Sequence, residues 1–489
     1  MSKPEMLSLY VRPRKLRASD GPVPTGPGMT PSAGTPQKWH LSANLIRVVC
    51  TVALWGSMIA LVALWVDGGG IRNMILKAPQ GLFAYPGRLA GLISTDLMLA
   101  QVFLMARVPV IERAFGRDKL VRIHRLVGFT SLNLMIAHIL LLALGYAVRE
   151  NQNLFESTWW MVSEWRGMVL ATVGTIMLIL VGITSARAAR RRLRYHTWHL
   201  LHLYTYLGIG LVIPHEIWTG NEFKSVWMQV SLVAAYLIAV ATLIVFRFAV
   251  PLARNRRHQL VVDHVVQESP GNYSVYLRGR DLHRLRAAAG QFCLWRFKDG
   301  PGWTRENPYA FSAAPNSEML RITAKEVGPN SMRFRDLLPG TRVLFEGPYG
   351  RFTGEARRAR KVTLIASGIG ITPIRALLEG LDFDPGHAVL VYRASTENDF
   401  VFRQELDDLA SRRGVRMVYL PGHRNQNSSS WQSESASTDD HLALLELVPD
   451  LAQHDVFICG PDSWAHAASN AARRAGVATG NINIERFAF

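Results

Sequence analysis

The stretch IHRLVGFTSLNLMIAHILLLALGY, residues Ile123–Tyr146, is the most informative part of this chain. It is long and apolar enough to cross a bilayer core of about 30 Å. It nevertheless carries two histidines, His124 and His138, fourteen residues apart. A second stretch, WHLLHLYTYLGIGLVIPHEIW at Trp198–Trp218, holds His202 and His215, thirteen residues apart. A histidine inside a membrane span is costly unless it has a partner, so these four side chains indicate a functional site.

The spacing predicts two histidine pairs at two depths of the membrane. At about 1.5 Å rise per residue, each stretch separates its histidines by about 20 Å. If both helices run in the same direction, the partner of His124 is His202. His138 then pairs with His215. Two stacked bis-histidine haems need such sites, and irons ligated in this way transfer electrons because they have no open position.

The two helices meet this requirement unequally. Fourteen residues bring His124 and His138 to within about 40° of one helix face. Thirteen residues leave His202 and His215 about 140° apart. Pro214 directly precedes His215, and a proline distorts a helix. The prediction therefore requires a distortion of the fifth span.

Other polar residues in the apolar region have two interpretations each. His196 and His199, near the start of the fifth span, are either alternative ligands or polar interfacial residues. Arg88 begins the second span, where it either meets the propionate of an outer haem or extends to the interface. Asp96, deeper in the same span, either handles protons or pairs two helices.

Apolar residues concentrate between about 43 and 250, and they predict a bundle of six transmembrane helices. The spans are Leu45–Val66, Gly87–Val110, Ile123–Tyr146, Met168–Ser185, Trp198–Trp218 and Val226–Val250. Arginine-rich segments lie before the first span and after the second, fourth and last. The positive-inside rule then places both termini in the cytoplasm of a multi-pass plasma-membrane protein. The net charge of +18 belongs largely to these flanks, so we expect a lipid bilayer and no nucleic acid as partner.

The organisation of the chain follows from these patterns. Residues 1–40 contain no apolar signal region and are rich in Pro, Gly and Arg, which predicts a disordered tail. Residues 41–250 form the helical domain. Residues 255–355 hold short β-like runs separated by turns, as in an antiparallel β-barrel. Residues 360–489 alternate strands and helices, which predicts a Rossmann-like α/β domain with a parallel sheet. The three cysteines are scattered, with no disulfide or CxxC pattern. The Ser-rich stretch Asn425–Asp440 predicts a flexible surface loop.

The first strand of the α/β domain leads into ASGIGITP, residues Ala366–Pro373. Glycines at this place let backbone N–H groups and a helix N-terminus approach a pyrophosphate. A tight structural turn is the other interpretation. Arg393, just past the second strand, is placed to meet a 2′-phosphate, which favours NADPH over NADH; an ordinary surface arginine is the other interpretation.

Five further motifs carry a resemblance to the ferredoxin–NADP reductase superfamily. The motifs, in chain order, are NPYAFSAAP at Asn307–Pro315, GPNS at Gly328–Ser331, EGPYG at Glu346–Gly350, CGP at Cys459–Pro461 and ERFAF at Glu485–Phe489. They resemble that superfamily's flavin-binding strand, flavin-pyrophosphate turn, entry into the nucleotide domain, nicotinamide-side motif and C-terminal segment. Joined to six helices with this histidine pattern, residues 45–489 resemble the ferric reductase/NADPH oxidase family.

The resemblance implies a set of site residues. FAD would contact Asn307, Pro308, Tyr309, Phe311, Ser312, Gly328, Ser331, Gly347 and Gly350. NADPH would contact Gly368, Gly370, Pro373, Arg393, Gly460 and Pro461. Thr372 and Cys459 would flank the nicotinamide, and Phe489 would shield the flavin. His124, His138, His202 and His215 would ligate two b-type haems, with Arg88 near the outer one. The chain departs from the superfamily at Asn307, where His or Arg is usual, and at Ala310, where Ser or Thr is usual, so fewer side-chain hydroxyls reach the flavin.

The implied activity is a transmembrane oxidoreductase that passes electrons from cytoplasmic NAD(P)H through FAD and two haems to an outside acceptor. The acceptor is oxygen, giving superoxide, or a ferric chelate; a quinone or a periplasmic partner is also open. Short external loops without clustered carboxylates or histidines favour a small diffusible acceptor. No partner protein is evident. Two other classes are a haem-free, membrane-anchored flavin reductase and a proton channel, and the latter leaves the motif series unexplained.

Overall fold

The structure, a computed structural model, describes residues 37–186, 195–220, 225–424 and 429–487, without the side chains of 37–42, 118, 195, 196 and 487. Its contacts divide the chain into a helical unit, Ala43–Val250, and a second unit that contains Pro251–Phe489. Phe489, the side chain of His196, the arginine-rich loop 187–194 and most of the predicted tail lie outside the described residues.

Six long helices carry the six predicted spans. They are α1 (Gln37–Asp67), α3 (Gln80–Met105), α5 (Arg117–Glu150), α7 (Met168–Ser185), α8 (Tyr195–Thr219) and α9 (Val226–Ile244). The shorter helices are α2 (Gly70–Leu76), α4 (Pro109–Phe115) and α6 (Leu154–Glu164). After α9, a π-helical turn at Val245–Ala249 leads into α10 (Val250–His258).

Five of the long helices meet the length and apolarity that a membrane span needs: α1, α3, α5, α7 and the stretch from α9 through α10. Among the described residues, α8 is the long helix that is not in this set. It has the length, but its four histidines and Glu216 reduce its mean hydropathy. The polar residues that make α8 functionally informative are therefore the ones that weaken its membrane signal.

Close pairs of helices build the helical unit. α3 packs against α5, and α7 packs against α8. Glycines permit these approaches: a Cβ at Gly174 of α7 would lie 2.6 Å from the carbonyl oxygen of Gly208 in α8. A Cβ at Gly87 of α3 would lie 2.9 Å from the Cβ of Leu141 in α5. Small residues at helix contacts are the usual means of tight packing in membranes.

The first part of the second unit is a small antiparallel barrel. One sheet has the order β1 (Val261–Ser269), β2 (Asn272–Arg278) and β5 (Met319–Lys325). The other has the order β4 (Asn307–Ala310), β3 (Phe292–Phe297) and β6 (Val343–Tyr349). A short helix, α11 (Pro329–Met332), follows β5. Residues of both sheets, together with Phe311 directly after β4, fill a buried core that includes Trp295 and Phe345.

The second part is a doubly wound α/β domain. Its parallel sheet has the order β11 (Ile482–Phe487), β10 (His454–Pro461), β7 (Lys361–Ser367), β8 (Ala388–Ala394) and β9 (Arg416–Pro421). One face is covered by α12 (Ile371–Gly380) and α13 (Arg403–Arg413). The other is covered by α14 (Asp440–Leu447) and α15 (Asp462–Arg474).

The Ser-rich stretch is a loop in its described part, as predicted, but it is anchored in the core by one residue. Within its described part, Trp431 is buried in the core between the sheet and α15. Its indole N–H donates to the Asp440 carbonyl at 3.0 Å, and its own carbonyl accepts from the Trp464 indole at 2.8 Å. The polar composition around Trp431 concealed this anchor.

Candidate functional site

The four membrane histidines lie in two pairs, with the partners that the sequence predicts. The ring centroids of His124 and His202 are 6.0 Å apart, and the ring planes meet at 74°. Those of His138 and His215 are 6.4 Å apart, with the planes at 51°. Each pair joins α5 to α8. Pro214 lies inside α8.

Hydrogen bonds at Nδ1 determine how these rings can act. Nδ1 of His138 lies 2.8 Å from the Gly87 carbonyl oxygen, to which only an N–H can donate. The Thr219 hydroxyl donates to the His215 carbonyl at 2.7 Å, so its oxygen accepts from Nδ1 of His215 at 2.6 Å. Both rings therefore keep an unprotonated Nε2, the form in which histidine binds a metal. Nδ1 of His202 lies 3.1 Å from the Ser185 hydroxyl.

The pair spacing fits a metal held between two imidazoles. A metal–imidazole nitrogen bond is about 2 Å long, so two nitrogens on opposite sides of one ion lie about 4 Å apart. Each ring centre lies roughly 1 Å beyond its nitrogen, which gives roughly 6 Å between centres. The two observed separations, 6.0 and 6.4 Å, match this value.

The helix arrangement leaves room between the histidine-bearing helices. Among the described residues, α5 packs on α3 and α8 packs on α7, whereas backbone contact between α5 and α8 is sparse. The histidine side chains bridge the two helices. At Gly91 of α3, a Cβ would lie 2.5 Å from Nδ1 of His138, so only glycine leaves space for this ring. A planar group ligated by histidines on both faces would need such a gap, and these residues fit it.

The other polar residues of the bundle have partners in the structure. The guanidinium of Arg88 lies over the Tyr85 ring at 4.9 Å, directly after the Gly87 carbonyl that holds His138. Asp96 accepts a hydrogen bond of 2.9 Å from Ser57 of α1, which is a helix-pairing contact. His199 is in ring contact with Trp198.

One carboxylate of the bundle was missed at the level of the sequence. Glu216 accepts from the Thr95 hydroxyl at 2.6 Å and from the Tyr236 hydroxyl at 2.7 Å. It thereby ties α8 to α3 and α9, directly after His215. An acidic residue inside an apolar span was the available signal.

The flavin-strand motif forms β4 and the turn that follows it. Tyr309 packs edge-on against Phe334 at 4.8 Å, and burial raises the pKa of its hydroxyl to about 12. Pro308 is exposed beside it, and Asn307 is half-buried. Phe311 and Ser312 are fully buried in the barrel, so they can contact a ligand through their backbone atoms but not through their side chains.

The two glycine motifs of the barrel are shaped for close backbone approach. In GPNS, the Ser331 hydroxyl oxygen accepts from the N–H groups of Val327 at 3.0 Å and Gly328 at 3.2 Å, and the space beside Gly328 is open. In EGPYG, Gly347 has φ +132° and Gly350 has φ +99°, which L side chains rarely adopt. The Arg254 guanidinium donates to the Gly347 carbonyl.

The nucleotide turn runs from the end of β7 into α12. Gly368 has φ +54° with open space beside it, and its carbonyl accepts from the Tyr392 hydroxyl at 3.2 Å. A Cβ at Gly370 would lie 2.3 Å from the Cys459 carbonyl oxygen, so this position must be glycine for the turn to touch β10. Pro373, in the first turn of α12, costs the helix no hydrogen bond there.

The CGP motif lies against this turn. Cys459 is fully buried, and burial raises the pKa of its thiol, so the sulfur stays protonated at neutral pH. The Thr372 hydroxyl donates to the Ile369 carbonyl at 3.0 Å. Gly460 and Pro461 pair with Arg486 and Phe487 of β11, which brings the C-terminal segment beside the motif.

Arg393 is buried at the end of β8 and faces a second arginine. It donates to the Gly422 carbonyl at 3.0 Å and to the Gln432 carbonyl at 3.3 Å. Burial lowers its pKa, and the charge of Arg424 lowers it further. Arg424, which the sequence did not single out, donates to the Ser463 hydroxyl at 3.0 Å. Two neighbouring guanidiniums favour an anionic ligand between them.

Family comparisons divide the chain in the same way as the structure. Residues 90–213 match the ferric reductase like transmembrane component, a range that contains three of the four paired histidines and ends two residues before His215. Residues 364–470 match the oxidoreductase NAD-binding domain, which contains the nucleotide turn and the CGP motif.

Three curated proteins show the range of similarity. Ferredoxin–NADP reductase B of Sorangium cellulosum is 29% identical over 199 residues, which are 38% of this chain and 80% of that protein. NADH-cytochrome b5 reductase 2 of Scheffersomyces stipitis is 28% identical over 149 residues, 29% of this chain and 49% of that protein, so the chain spans about half of that relative. The plasma membrane-associated coenzyme Q6 reductase PGA3 of Saccharomyces cerevisiae is 25% identical over 283 residues, 55% of this chain and 89% of that protein.

One solved structure is similar to about half of the chain. The flavohem-like FAD/NAD binding domain of nitric oxide dioxygenase from Vibrio cholerae is 22% identical and covers 47% of this chain and 98% of its own, with a TM-score of 0.39.

The family matches and the fold define the class: a ferric-reductase-like transmembrane domain fused to a module of the ferredoxin–NADP reductase type. The protein is an NAD(P)H-dependent oxidoreductase with a multi-pass membrane domain, and the predicted resemblance is confirmed.

Proposed function

We propose that this protein carries electrons from cytoplasmic NADPH through FAD and two bis-histidine b-type haems to oxygen on the other side of the membrane, producing superoxide. The observation that carries the proposal is the pair of histidine–histidine sites, at 6.0 and 6.4 Å between ring centres, in one chain with a nucleotide-binding α/β domain. A ferric chelate reduced by the same path is the alternative acceptor.

The side chains of the helical unit would hold and insulate the haems. The flavin would supply hydride chemistry toward NADPH, and the haems would supply one-electron transfer. His124 with His202, and His138 with His215, would hold the haem irons through their ring nitrogens. The Gly87 carbonyl and the Thr219 hydroxyl would keep the rings of His138 and His215 in the ligating tautomer. Arg88, one residue after Gly87, would meet an outer propionate.

The residues of the second unit would hold the flavin and the nucleotide. Tyr309 and Pro308 would contact the isoalloxazine ring, and the open space beside Gly328 would admit the flavin pyrophosphate. The open space beside Gly328 and Gly368 supports close approach of phosphate groups at both places. Thr372 and Cys459 would flank the nicotinamide. The protonated thiol of Cys459 would take no nucleophilic part.

The choice of NADPH over NADH rests on two guanidiniums. Arg393 and Arg424 are close enough for the charge of one to lower the pKa of the other. A 2′-phosphate between them would relieve this repulsion and accept charge-assisted hydrogen bonds from both. NADH lacks the phosphate and would leave the repulsion in place.

The orientation rests on the distribution of charge. Arginines flank the second, fourth and last spans on one side, which the positive-inside rule assigns to the cytoplasm. Both termini would then be cytoplasmic in the plasma membrane. The second unit would meet cytoplasmic NADPH, and the outer histidine pair, His138 and His215, would face the acceptor.

An anaerobic titration tests the proposal. NADPH and FAD are added to the detergent-purified full-length protein, the visible spectrum is followed, and oxygen is then admitted. We expect b-type haem bands that become reduced and reoxidise with superoxide production. Slow reoxidation that a ferric chelate accelerates would identify the alternative acceptor. A protein without haem bands would overturn the proposal and leave a membrane-anchored flavin reductase.

A further inference from the structure

Helix α12 connects the nucleotide turn to the flavin-binding part of the barrel. It begins directly after Gly368–Gly370 and ends at Gly380. Near its C-terminal end, Glu379 accepts a hydrogen bond of 2.6 Å from the backbone N–H of Ala314. Ala314 lies four residues after β4, the strand of the flavin motif. The helix therefore touches both sites between which a hydride would move.

The contact between α12 and the barrel is tight as well as polar. A Cβ at Gly380 would lie 2.8 Å from the Cβ of Ala289 and 3.4 Å from the Cβ of Ala314. At Gly290, which has φ +83°, a Cβ would lie 3.1 Å from the side chain of Leu377 in α12. Close packing transmits small displacements, so a shift of α12 would move the turn and the flavin strand relative to each other.

A network of charges fixes this contact from the side. Glu405 of α13 accepts two hydrogen bonds from Arg321 of β5, at 3.0 and 3.1 Å. It also forms an ion pair with Arg375 of α12, at 2.5 Å. The side chains of Arg321 and Arg375 are 6% and 9% exposed, and that of Glu405 is 30% exposed. We call this set the Arg321–Glu405–Arg375 bridge. Arg321 belongs to the barrel, whereas Glu405 and Arg375 belong to the α/β domain.

The barrel end of the bridge reaches the flavin segment. Arg321 also donates to the Ser312 carbonyl at 2.8 Å and to the Tyr276 hydroxyl at 3.2 Å, and its guanidinium lies over the Phe402 ring at 4.7 Å. Ser312 lies two residues after β4. One guanidinium thus holds the flavin segment on one side and the α/β domain on the other.

The bridge is ionised in the folded protein. Burial raises the pKa of Glu405, but hydrogen bonds and charges from Arg321 and Arg375 outweigh this effect and lower it overall. A buried ion pair contributes little net stability, because desolvation offsets the attraction, but it does require a defined geometry. Three hydrogen-bonded charges across a domain contact are therefore suited to setting an orientation.

We propose that the Arg321–Glu405–Arg375 bridge sets the distance between the nicotinamide and flavin rings, which makes Glu405 a positioning residue for hydride transfer. This rests on the proposed function, in which FAD and NADPH occupy the two sites. The step transfers two electrons and one proton, as a hydride, from the dihydronicotinamide to the oxidised flavin. It leaves oxidised nicotinamide and reduced flavin. Misplacement by about 1 Å can slow such a step by about a hundredfold.

The test compares Glu405→Gln with Glu397→Gln in the full-length protein loaded with FAD. Glu397 forms an ion pair with Arg403 on the surface of the α/β domain, without a residue of the barrel, and is the matched control. Flavin reduction by NADPH is followed anaerobically by stopped flow, with deuterated NADPH as a probe of the hydride step. We expect a tenfold to hundredfold lower limiting rate constant in Glu405→Gln. FAD content and NADPH affinity should stay within about twofold, since both sites keep their own residues. The control should match the parent.

A second variant removes the whole cross-domain pair. Arg321→Met/Glu405→Met leaves no unpaired charge between the domains, and Arg375 keeps its ion pair with Glu379. We expect it to keep its FAD and its melting temperature while losing the fast hydride step. Parental rates in either folded variant would overturn the proposal. So would failure of both variants to fold, because the bridge would then be a requirement of the fold. A parent protein whose flavin NADPH does not reduce would instead contradict the proposed function.

Discussion

A single hydroxyl group fixes the tautomer of His215. The Thr219 side chain donates its one hydrogen to the His215 carbonyl, so its oxygen can only accept from Nδ1. The Gly87 carbonyl imposes the same tautomer on His138. These contacts lie 4 residues away in one case and 51 in the other. The Thr219 contact could be predicted from the sequence, because residues i and i+4 are neighbours on a helix. The Gly87 contact could not, because it depends on the packing of α3 against α5.

Removal of one ring tests the ligand assignment. In His138→Leu the His138–His215 pair loses one of its two rings. If the pairs hold haem as proposed, we expect haem per chain to fall by about half, because bis-histidine ligation needs both rings. Haem is measured as the pyridine haemochrome against protein concentration. His199→Leu is the control, since His199 lies on α8 outside both pairs and contacts Trp198. Equal haem loss in the two variants would refute the assignment.

Arg393 should determine the choice between the two nucleotides. We expect Arg393→Ala to raise the KM for NADPH by about tenfold to a hundredfold, which is the loss of one or two charge-assisted hydrogen bonds. The KM for NADH should change by less than about twofold, because that nucleotide has no 2′-phosphate to lose. Steady-state flavin reduction with both nucleotides measures this. Arg412→Ala, an exposed arginine of α13, is the control. An equal loss with both nucleotides would show that Arg393 acts through its bonds to Gly422 and Gln432.

The predictability of single residues depends on whether their partners are near in sequence. The four histidines were identified from the sequence because a polar side chain inside an apolar span is costly unless it has a partner. Arg424 and Arg321 were not, since the Ser463 and Glu405 side chains that they contact lie 39 and 84 positions away. Composition carries no information about such pairs.

The contact between α7 and α8 depends on Gly174. A Cβ there would lie 2.6 Å from the Gly208 carbonyl oxygen. We therefore expect Gly174→Ala to push α7 from α8, with a loss of about 1–3 kcal/mol in stability. α7 also brings Ser185 to His202, so haem retention should fall with it. Melting is followed by haem absorbance. Gly210→Ala is the matched control on α8, where a Cβ meets nothing within 4 Å. Equal melting of the two variants would contradict the argument.

The start of β10 carries a pH-sensitive contact. His454 is buried between Thr363, at 2.8 Å from its Nδ1, and Asp450, at 3.1 Å from its Nε2. Burial lowers the pKa of His454, although the hydrogen bond and charge of Asp450 oppose this. Because the folded pKa is below the unfolded value, the stability it contributes is complete above about pH 6.5 and is lost as the pH falls through the folded value.

We accordingly expect thermal unfolding of the α/β domain, followed by fluorescence of the buried Trp431 and Trp464, to move to lower temperature as the pH falls below about 6.5. His454→Gln should reduce this dependence, because the amide does not titrate. His466→Gln, an exposed histidine of α15, should leave it unchanged. A parental pH profile in His454→Gln would exclude His454 as its source.

The long apolar helices were predicted well, whereas a buried residue inside a polar loop was not. α7 has the predicted bounds, Met168–Ser185, because an unbroken apolar run between a glycine and a basic segment leaves little freedom. α5 extends beyond its predicted span at both ends, at Arg117 and Glu150, since charged residues outside the bilayer core continue the helix. The Ser-rich stretch is a loop in its described part, as predicted, but its composition did not predict that Trp431 is buried in the core.

At the scale of the whole molecule, the sequence predicted the architecture because its two halves have different periodicities. An apolar half with helical spans and a half with strands and turns can only be a membrane bundle and a separate α/β-containing module. The two family matches, at residues 90–213 and 364–470, fall in those halves. The periodicity did not predict the Arg321–Glu405–Arg375 bridge, which joins three elements of the module.

Movement of electrons through the bundle should be electrogenic, and this tests the whole molecule. The protein is reconstituted into sealed vesicles with cytochrome c trapped inside as a superoxide detector, and NADPH is added outside. We expect trapped cytochrome c to be reduced by molecules whose nucleotide domain faces outward. Each electron that crosses without a proton charges the membrane, and about 100 mV opposes the next by about 2.3 kcal/mol. The rate should therefore fall within the first turnovers and recover when a potassium ionophore dissipates the potential.

The same vesicles separate the electron path from flavin chemistry. With His138→Leu, flavin reduction by external NADPH should persist, because the nucleotide and flavin residues are unchanged, whereas reduction of the trapped cytochrome c should stop. If oxygen is the acceptor, superoxide dismutase trapped with the cytochrome c should abolish reduction of the cytochrome in the parent protein. If a ferric chelate is the acceptor, reduction of a trapped chelate should not change when the dismutase is present. Reduction confined to the NADPH side, insensitive to the ionophore, would mean that electrons leave from the flavin and that the histidine pairs carry none of them across.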